Sequence, residues 1–132
     1  MTRADFYVGR GPKAEWLGSI AADGYPQGIP KELLASSDER QFRSEVRKFM
    51  AGRGDSTRPK DGWPWPWEDS KTTDYAYAFE NGKVAISNFG RWNDKKAIGF
   101  PNMKAVQKVT FGPRSGVTVL RIGPKLPGLP AK

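Results

Sequence analysis

The sequence predicts an α+β fold: an antiparallel sheet of five or six strands with one main helix packed on one face. Three observations carry this expectation. Residues 72–89, TTDYAYAFENGKVAISNF, place two alternating β-rich segments around Asn81-Gly82, the dipeptide favoured in type I′ hairpin turns. Phe42, Val46, Phe49 and Met50 recur at i, i+4, i+7 and i+8, which makes one apolar helical stripe. Several other apolar segments are short, β-rich and bounded by Gly and Pro, as strands are.

Each element follows in order. Residues 3–8, RADFYV, alternate and read as a first strand, broken by GRGP at 9–12. EWLGSIAA at 15–22 is a second strand, antiparallel to the first. The G-x-G of VGRGPK, 8–13, lacks the rest of a phosphate-loop pattern and reads as the hairpin turn between them. DGYPQGIP, 23–30, is turn chemistry, and Pro30 suits the first position of one short helical turn, PKELLAS. Ser36 and Glu39 form an S-x-x-E capping-box pattern, and Gly52 and Gly54 stop the helix, so the main helix is expected over 37–51. Its outer face carries Arg40, Arg43, Arg47 and Lys48, with Glu39 and Glu45 between them; such a face is ordinarily solvated.

The hairpin has a predictable register. A two-residue loop pairs Glu80 with Lys83, Phe79 with Val84, Tyr77 with Ile86 and Tyr75 with Asn88. One face is then Tyr75, Tyr77, Phe79, Val84 and Ile86, which calls for a core. The other is Ala76, Ala78, Ala85 and Ser87, small enough for the helix to approach closely. Residues 90–104 are irregular. AVQKVTFG at 105–112 and GVTVLRIG at 116–123 read as a final hairpin. The domain expectation is one unit over 1–123 and a proline-rich tail, PKLPGLPAK, over 124–132.

Residues 63–67, WPWPW, raise a separate question. Proline fixes φ and removes a donor, so this run is neither helix nor central strand and should be stiff and extended. Trp63, Trp65 and Trp67 then tend toward one side. They are expected first to close over the sheet as a lid and second to offer a stacking surface.

Composition excludes much chemistry. The 132 residues include no cysteine and no histidine. Disulfides, thiolate nucleophiles and every Ser–His or Cys–His arrangement are thereby removed. No D-x-D or E-x-K triplet suggests carboxylates converging on a metal, and Asp23 and Asp74 are the only weak candidates. A non-enzymatic protein without cofactor or metal is therefore expected. No apolar run approaches the ~18 residues of a membrane span, and MTRADFYVGR lacks a signal peptide's apolar stretch. No membrane partner is expected, and a cytoplasmic location is.

Net charge is +8 and unevenly placed. Residues 1–80 hold 12 Lys/Arg against 13 Asp/Glu; residues 81–132 hold 10 against the single acid Asp94. Such a field draws polyanions. The expected contacts are Lys83, Arg91, Lys95, Lys96, Lys104, Lys108 and Arg114 on phosphate, with Trp92 stacking on a base. The loop 90–104 interleaves these cations with amides and aromatics, as nucleic-acid loops do.

Residues 4–26, ADFYVGRGPKAEWLGSIAADGYP, and 62–79, GWPWPWEDSKTTDYAYAF, resemble small bacterial and phage proteins with no assigned activity. The resemblance brings no catalytic or binding residues. It implies a mobile-element accessory protein, a group that includes anti-CRISPR inhibitors of host defence nucleases. Many of those are acidic DNA mimics; a basic member would cover an acidic or nucleic-acid-proximal surface instead. The leading expectation is thus a small basic binding module for nucleic acid or a nucleoprotein complex. The alternatives are an anti-CRISPR-like inhibitor acting by protein–protein contact, and an enzyme of unknown type. The sequence leaves the oligomeric state open.

Overall fold

A computed structural model describes residues 1–64 and 67–105. Six strands form one sheet: β1 (Ala4–Val8), β2 (Glu15–Ile20), β3 (Ser56–Thr57), β4 (Tyr75–Glu80), β5 (Lys83–Asn88) and β6 (Arg91–Trp92). Their order is β3-β2-β1-β4-β5-β6. A short helix, α1 (Lys31–Leu34), precedes the main helix, α2 (Glu39–Ala51). The fold is α+β, as expected. The two-residue strands β3 and β6 were not foreseen, and the hairpin expected over 105–123 and the tail lie outside the described residues, residue 105 excepted.

The β4–β5 hairpin has the expected register, Glu80↔Lys83 to Tyr75↔Asn88. Asn81 and Gly82 turn it with positive φ, 53° and 78°. The sheet is mostly antiparallel, but β1 and β4 run parallel. A parallel pair needs a long crossover, and the chain between β2 and β4 supplies one. It makes α2 on one face of the sheet, forms the edge strand β3, and places Trp63, Ser70 and Thr73 on the other face.

α2 begins two residues later than expected. Asp38 is the N-cap, and its carboxylate accepts from the Gln41 N–H at 2.8 Å. Gln41 Oε1 in turn accepts from the Ser37 N–H. The expected Ser36 has no part in this cap; its hydroxyl donates to the Leu33 carbonyl instead, at 2.8 Å.

The apolar stripe of α2 packs on the large face of the sheet. Phe42, Val46 and Met50 join Phe6, Ile20, Leu33, Tyr77 and Phe79 in one buried cluster. Phe42 stacks on Phe79, and Phe6 stacks on Tyr77. This corrects the expectation that the helix would seek the alanine face. Helix and sheet both present large side chains here, and these interdigitate into one dense core.

The small face is covered by the return crossover and by residues 92–103. Ala78 and Ala85 sit beneath Tyr7, Trp16, Trp63, Trp92 and Met103 in a second buried cluster. Small residues on the sheet leave the depth that bulky rings fill. An irregularity in the β1–β2 ladder prepares this face. The pairing slips between Phe6 and Tyr7, so Trp16 and Gly18, not successive residues of β2, meet them. Trp16 and Ser19 thereby both reach the second face, where the Trp16 indole donates to the Ser19 hydroxyl at 3.0 Å.

Candidate nucleic-acid interface

Four of the seven arginines in the first sixty residues, Arg3, Arg10, Arg43 and Arg53, are used internally. Arg10 binds Glu80 and Asp94, Arg43 binds Glu15 and Glu39, and Arg53 binds Asp23 and Asp55. These bonds hold the Asp94 carboxyl down at about 2, with the Arg10 hydrogen bond the main cause, and push the Arg10 guanidinium above its ordinary value. Asp55 is likewise lowered, chiefly by Arg53.

The cations after the Asn81-Gly82 bend behave differently. Lys83, Arg91, Lys95, Lys96 and Lys104 are all exposed, and none forms an ion pair among the described residues. Lys108 and Arg114 lie outside the described residues. Asp94, the one acid after residue 80, is already held by Arg10.

Four of these cations, Lys83, Arg91, Lys95 and Lys96, border the β5–β6 edge of the sheet but not one spot, and strand alternation turns Lys83 and Arg91 to opposite faces. The Arg10 guanidinium binds both Glu80 and Asp94, so the Lys95–Lys96 turn sits at the Lys83 end of β5. Arg91 pairs with Asn88 at the opposite end, about 17 Å away at ~3.3 Å per residue. Lys104 donates its N–H to the Glu68 carbonyl, on the crossover.

Trp92 lies elsewhere than expected. The ring is buried, its Nε1–H donates to the Ile98 carbonyl at 2.9 Å, and Phe100 stacks on it at 5.3 Å. Arg10 lies over the same ring at 4.9 Å. Trp92 thus anchors the loop to the second core and offers no free face to a base.

The aromatic residue this surface does present is Phe89, one residue before the stretch singled out in the sequence. It is 59% exposed. Phe89 and Gly90 form the turn between β5 and β6, with φ of 53° and 87°. The β4–β5 turn has the same geometry with Asn81 in the corresponding place. A left-handed φ costs a non-glycine residue about 1–2 kcal/mol, which Asn relieves by local hydrogen bonding and Phe does not. Phe89 N–H donates to the Thr73 and Asp74 carbonyls, which fixes the turn against the crossover and leaves the ring outside.

The two described tryptophans of the run differ in burial. Trp63 is buried edge-on against Trp16 at 4.9 Å, and its Nε1–H donates to the Trp67 carbonyl. Trp67 is 36% exposed and lies under the Arg3 guanidinium at 4.4 Å. Trp65 lies outside the described residues.

Beneath this crossover lies the most polar part of the interior. Asp5 is fully buried on β1. Its Oδ1 accepts from Arg3 at 2.8 Å and from Ser19; its Oδ2 accepts from Ser70 and, at 2.9 Å, from Thr73. Ser70 donates to Asp5, so the Tyr7 hydroxyl donates to Ser70, at 2.7 Å. Burial, then the nearby Asp5 charge, raises the Tyr7 phenol well above its ordinary value. The partners come from the residue before β1, from β2 and from the crossover, and no solvent reaches the carboxylate. The cluster fastens the crossover to the sheet, and nothing about it admits a substrate.

The carboxylates named as weak catalytic candidates do not converge. Asp74 accepts from the Arg3 N–H, while Asp23 lies beside Arg53. Among the described residues no group of three His, Cys, Asp or Glu could hold a metal ion. A cleft of about 250 Å³ does open beside α2, lined by Leu17, Arg43, Val46, Arg47, Met50 and Arg58. Sequence reasoning missed it because Arg58 joins Arg43 and Arg47 only through the fold. No described helix is long and apolar enough to cross a membrane.

The chain matches no family model, no curated protein and no solved structure at a significant level.

Proposed function

We propose that the protein is a non-enzymatic binding module that holds nucleic acid along the β5–β6 side of its sheet. One observation carries this reading: Lys83, Arg91, Lys95, Lys96 and Lys104 are exposed and without acidic partners among the described residues, in a chain whose earlier arginines repeatedly find them. Residues 106–132 add five more cations and no acid. Phosphate neutralisation by such residues releases counterions, which supplies sequence-independent affinity. Among the described residues Asp5 is buried and fully bonded and no three carboxylates converge, which supports the non-enzymatic reading.

Fluorescence anisotropy with labelled oligonucleotides across a salt series tests this. If about six cations meet phosphate, log affinity falls with log salt at a slope near −5 on duplex DNA and about −4 on a single strand. Absence of binding to single- or double-stranded DNA or RNA at low salt removes the proposal. It would leave the same cations to an accessory inhibitor that covers an acidic protein, which pull-down of a nuclease complex would reveal.

A further inference from the structure

We infer that Phe89 is a base-stacking residue and that the ligand of this surface is therefore a single-stranded nucleic acid; the inference rests on the nucleic-acid reading above. Phe89 combines two features that folding does not ask for. Its ring is 59% exposed, and its backbone holds a left-handed φ of 53°. The neighbouring hairpin solves the same turn with Asn81-Gly82, so this sequence has the favoured solution available and departs from it at residue 89. A strained position kept with an exposed aromatic is a signature of recognition.

The surroundings say what kind of ligand fits. Arg91 follows at the base of the same turn, and Lys83, Lys95 and Lys96 form a second cationic group at the far end of β5, about 17 Å away at ~3.3 Å per residue. A flexible strand that spans both groups ends at the Phe89 ring. Near Phe89 itself the charge is mixed: Asp74, whose carbonyl accepts from the Phe89 N–H, and Lys71, whose carbonyl lies against Gly90, both border the turn, and Asp69 accepts from the Lys71 N–H. Charge alone does not select a ligand there, and an unpaired base is what a bare ring adds to a phosphate track. A duplex keeps its bases stacked inside and offers Phe89 nothing. Trp92, the residue expected to stack, is closed off by Phe100 and Arg10.

The variant Phe89→Asn separates the roles because it removes the ring while restoring the favoured turn residue. Anisotropy is measured with a labelled oligothymidylate and a duplex of equal length, on the wild type, Phe89→Asn, Phe89→Trp and the double variant Lys95→Ala/Lys96→Ala. The wild type should prefer the single strand. Phe89→Asn should lose about tenfold in single-strand affinity, keep duplex affinity and salt slope, and melt at a higher temperature. Phe89→Trp should keep single-strand affinity. The lysine variant should weaken both ligands and flatten the salt slope. Unchanged single-strand affinity in Phe89→Asn, with the lysine variant weakened, overturns the stacking role and spares the nucleic-acid reading. No binding of either ligand by the wild type overturns both.

Discussion

Replacing Asp5 by Asn tests whether the crossover is fastened to the sheet by a buried charge. Asp5 has no exposed surface, and the Arg3 side chain is 11% exposed. The substitution leaves that guanidinium without its counter-ion and turns one acceptor into a donor. That donor then faces Arg3 and Ser19 on one side or Ser70 and Thr73 on the other. Breaking a buried pair from one side costs about 3–5 kcal/mol. Asn keeps one acceptor and Arg3 still rests on Trp67 at 4.4 Å, so the lower figure, about 3 kcal/mol, applies. Against a typical total of about 5–15 kcal/mol, this is a large fraction. Melting should fall by about 10–15 °C, at roughly 3–5 °C per kcal/mol for a chain of this size. Urea unfolding followed by tryptophan fluorescence measures the free energy directly, with an unchanged m-value showing that the same surface unfolds. Ser70→Ala should cost about 1–2 kcal/mol. The two changes should be strongly non-additive, because Ser70 acts through the Asp5 carboxylate. A loss below about 1 kcal/mol for Asp5→Asn, or simple additivity, would refute the role assigned to this cluster.

The two described indoles of the crossover should separate by the same assay. Trp63→Ala removes a ring buried against Trp16 and should cost about 3–5 kcal/mol, while Trp67→Ala, which loses a partly exposed ring over Arg3, should cost about 1 kcal/mol. Acid titration followed by carboxyl NMR should find Asp94 titrating near 2, because Arg10 binds its ionised form. The folded value lies below the unfolded one, so the stabilisation is present above the ordinary aspartate range and disappears as pH falls through about 2. Arg10→Ala should return Asp94 to the ordinary range; a carboxyl that stays near 2 in that variant would assign the shift to another cause.

Local signals made much of the fold legible. Asn81-Gly82 fixed a register because a two-residue turn leaves no freedom in the pairing. The Phe42–Val46–Met50 stripe located the helix because its period is incompatible with a strand. What escaped was decided by partners distant in sequence. The cap is the exception, a local competition: Asp38 and Gln41 have the capping-box spacing too, and Gln41 reaches back to Ser37. The face on which α2 lands depends on the crossover, whose indoles need the depth above Ala78 and Ala85. Asp5 gave no sign of its role, since Ser19, Ser70 and Thr73 reach it from separate segments. The exposure of the later cations was legible from the single acid, Asp94, after residue 80. Which aromatic stays exposed was not: Trp92 and Phe89 differ in burial because β6 pairs with β5 and turns one ring inward.

Backbone amide chemical shifts, recorded while an oligothymidylate is titrated into the labelled protein, test the proposed surface most directly. The account predicts movement at Lys83, Phe89, Arg91, Lys95 and Lys96, with the helix around Arg43 and Arg47 unchanged. An undisturbed spectrum, or changes gathered at the Arg43–Arg47–Arg58 cleft, would contradict it.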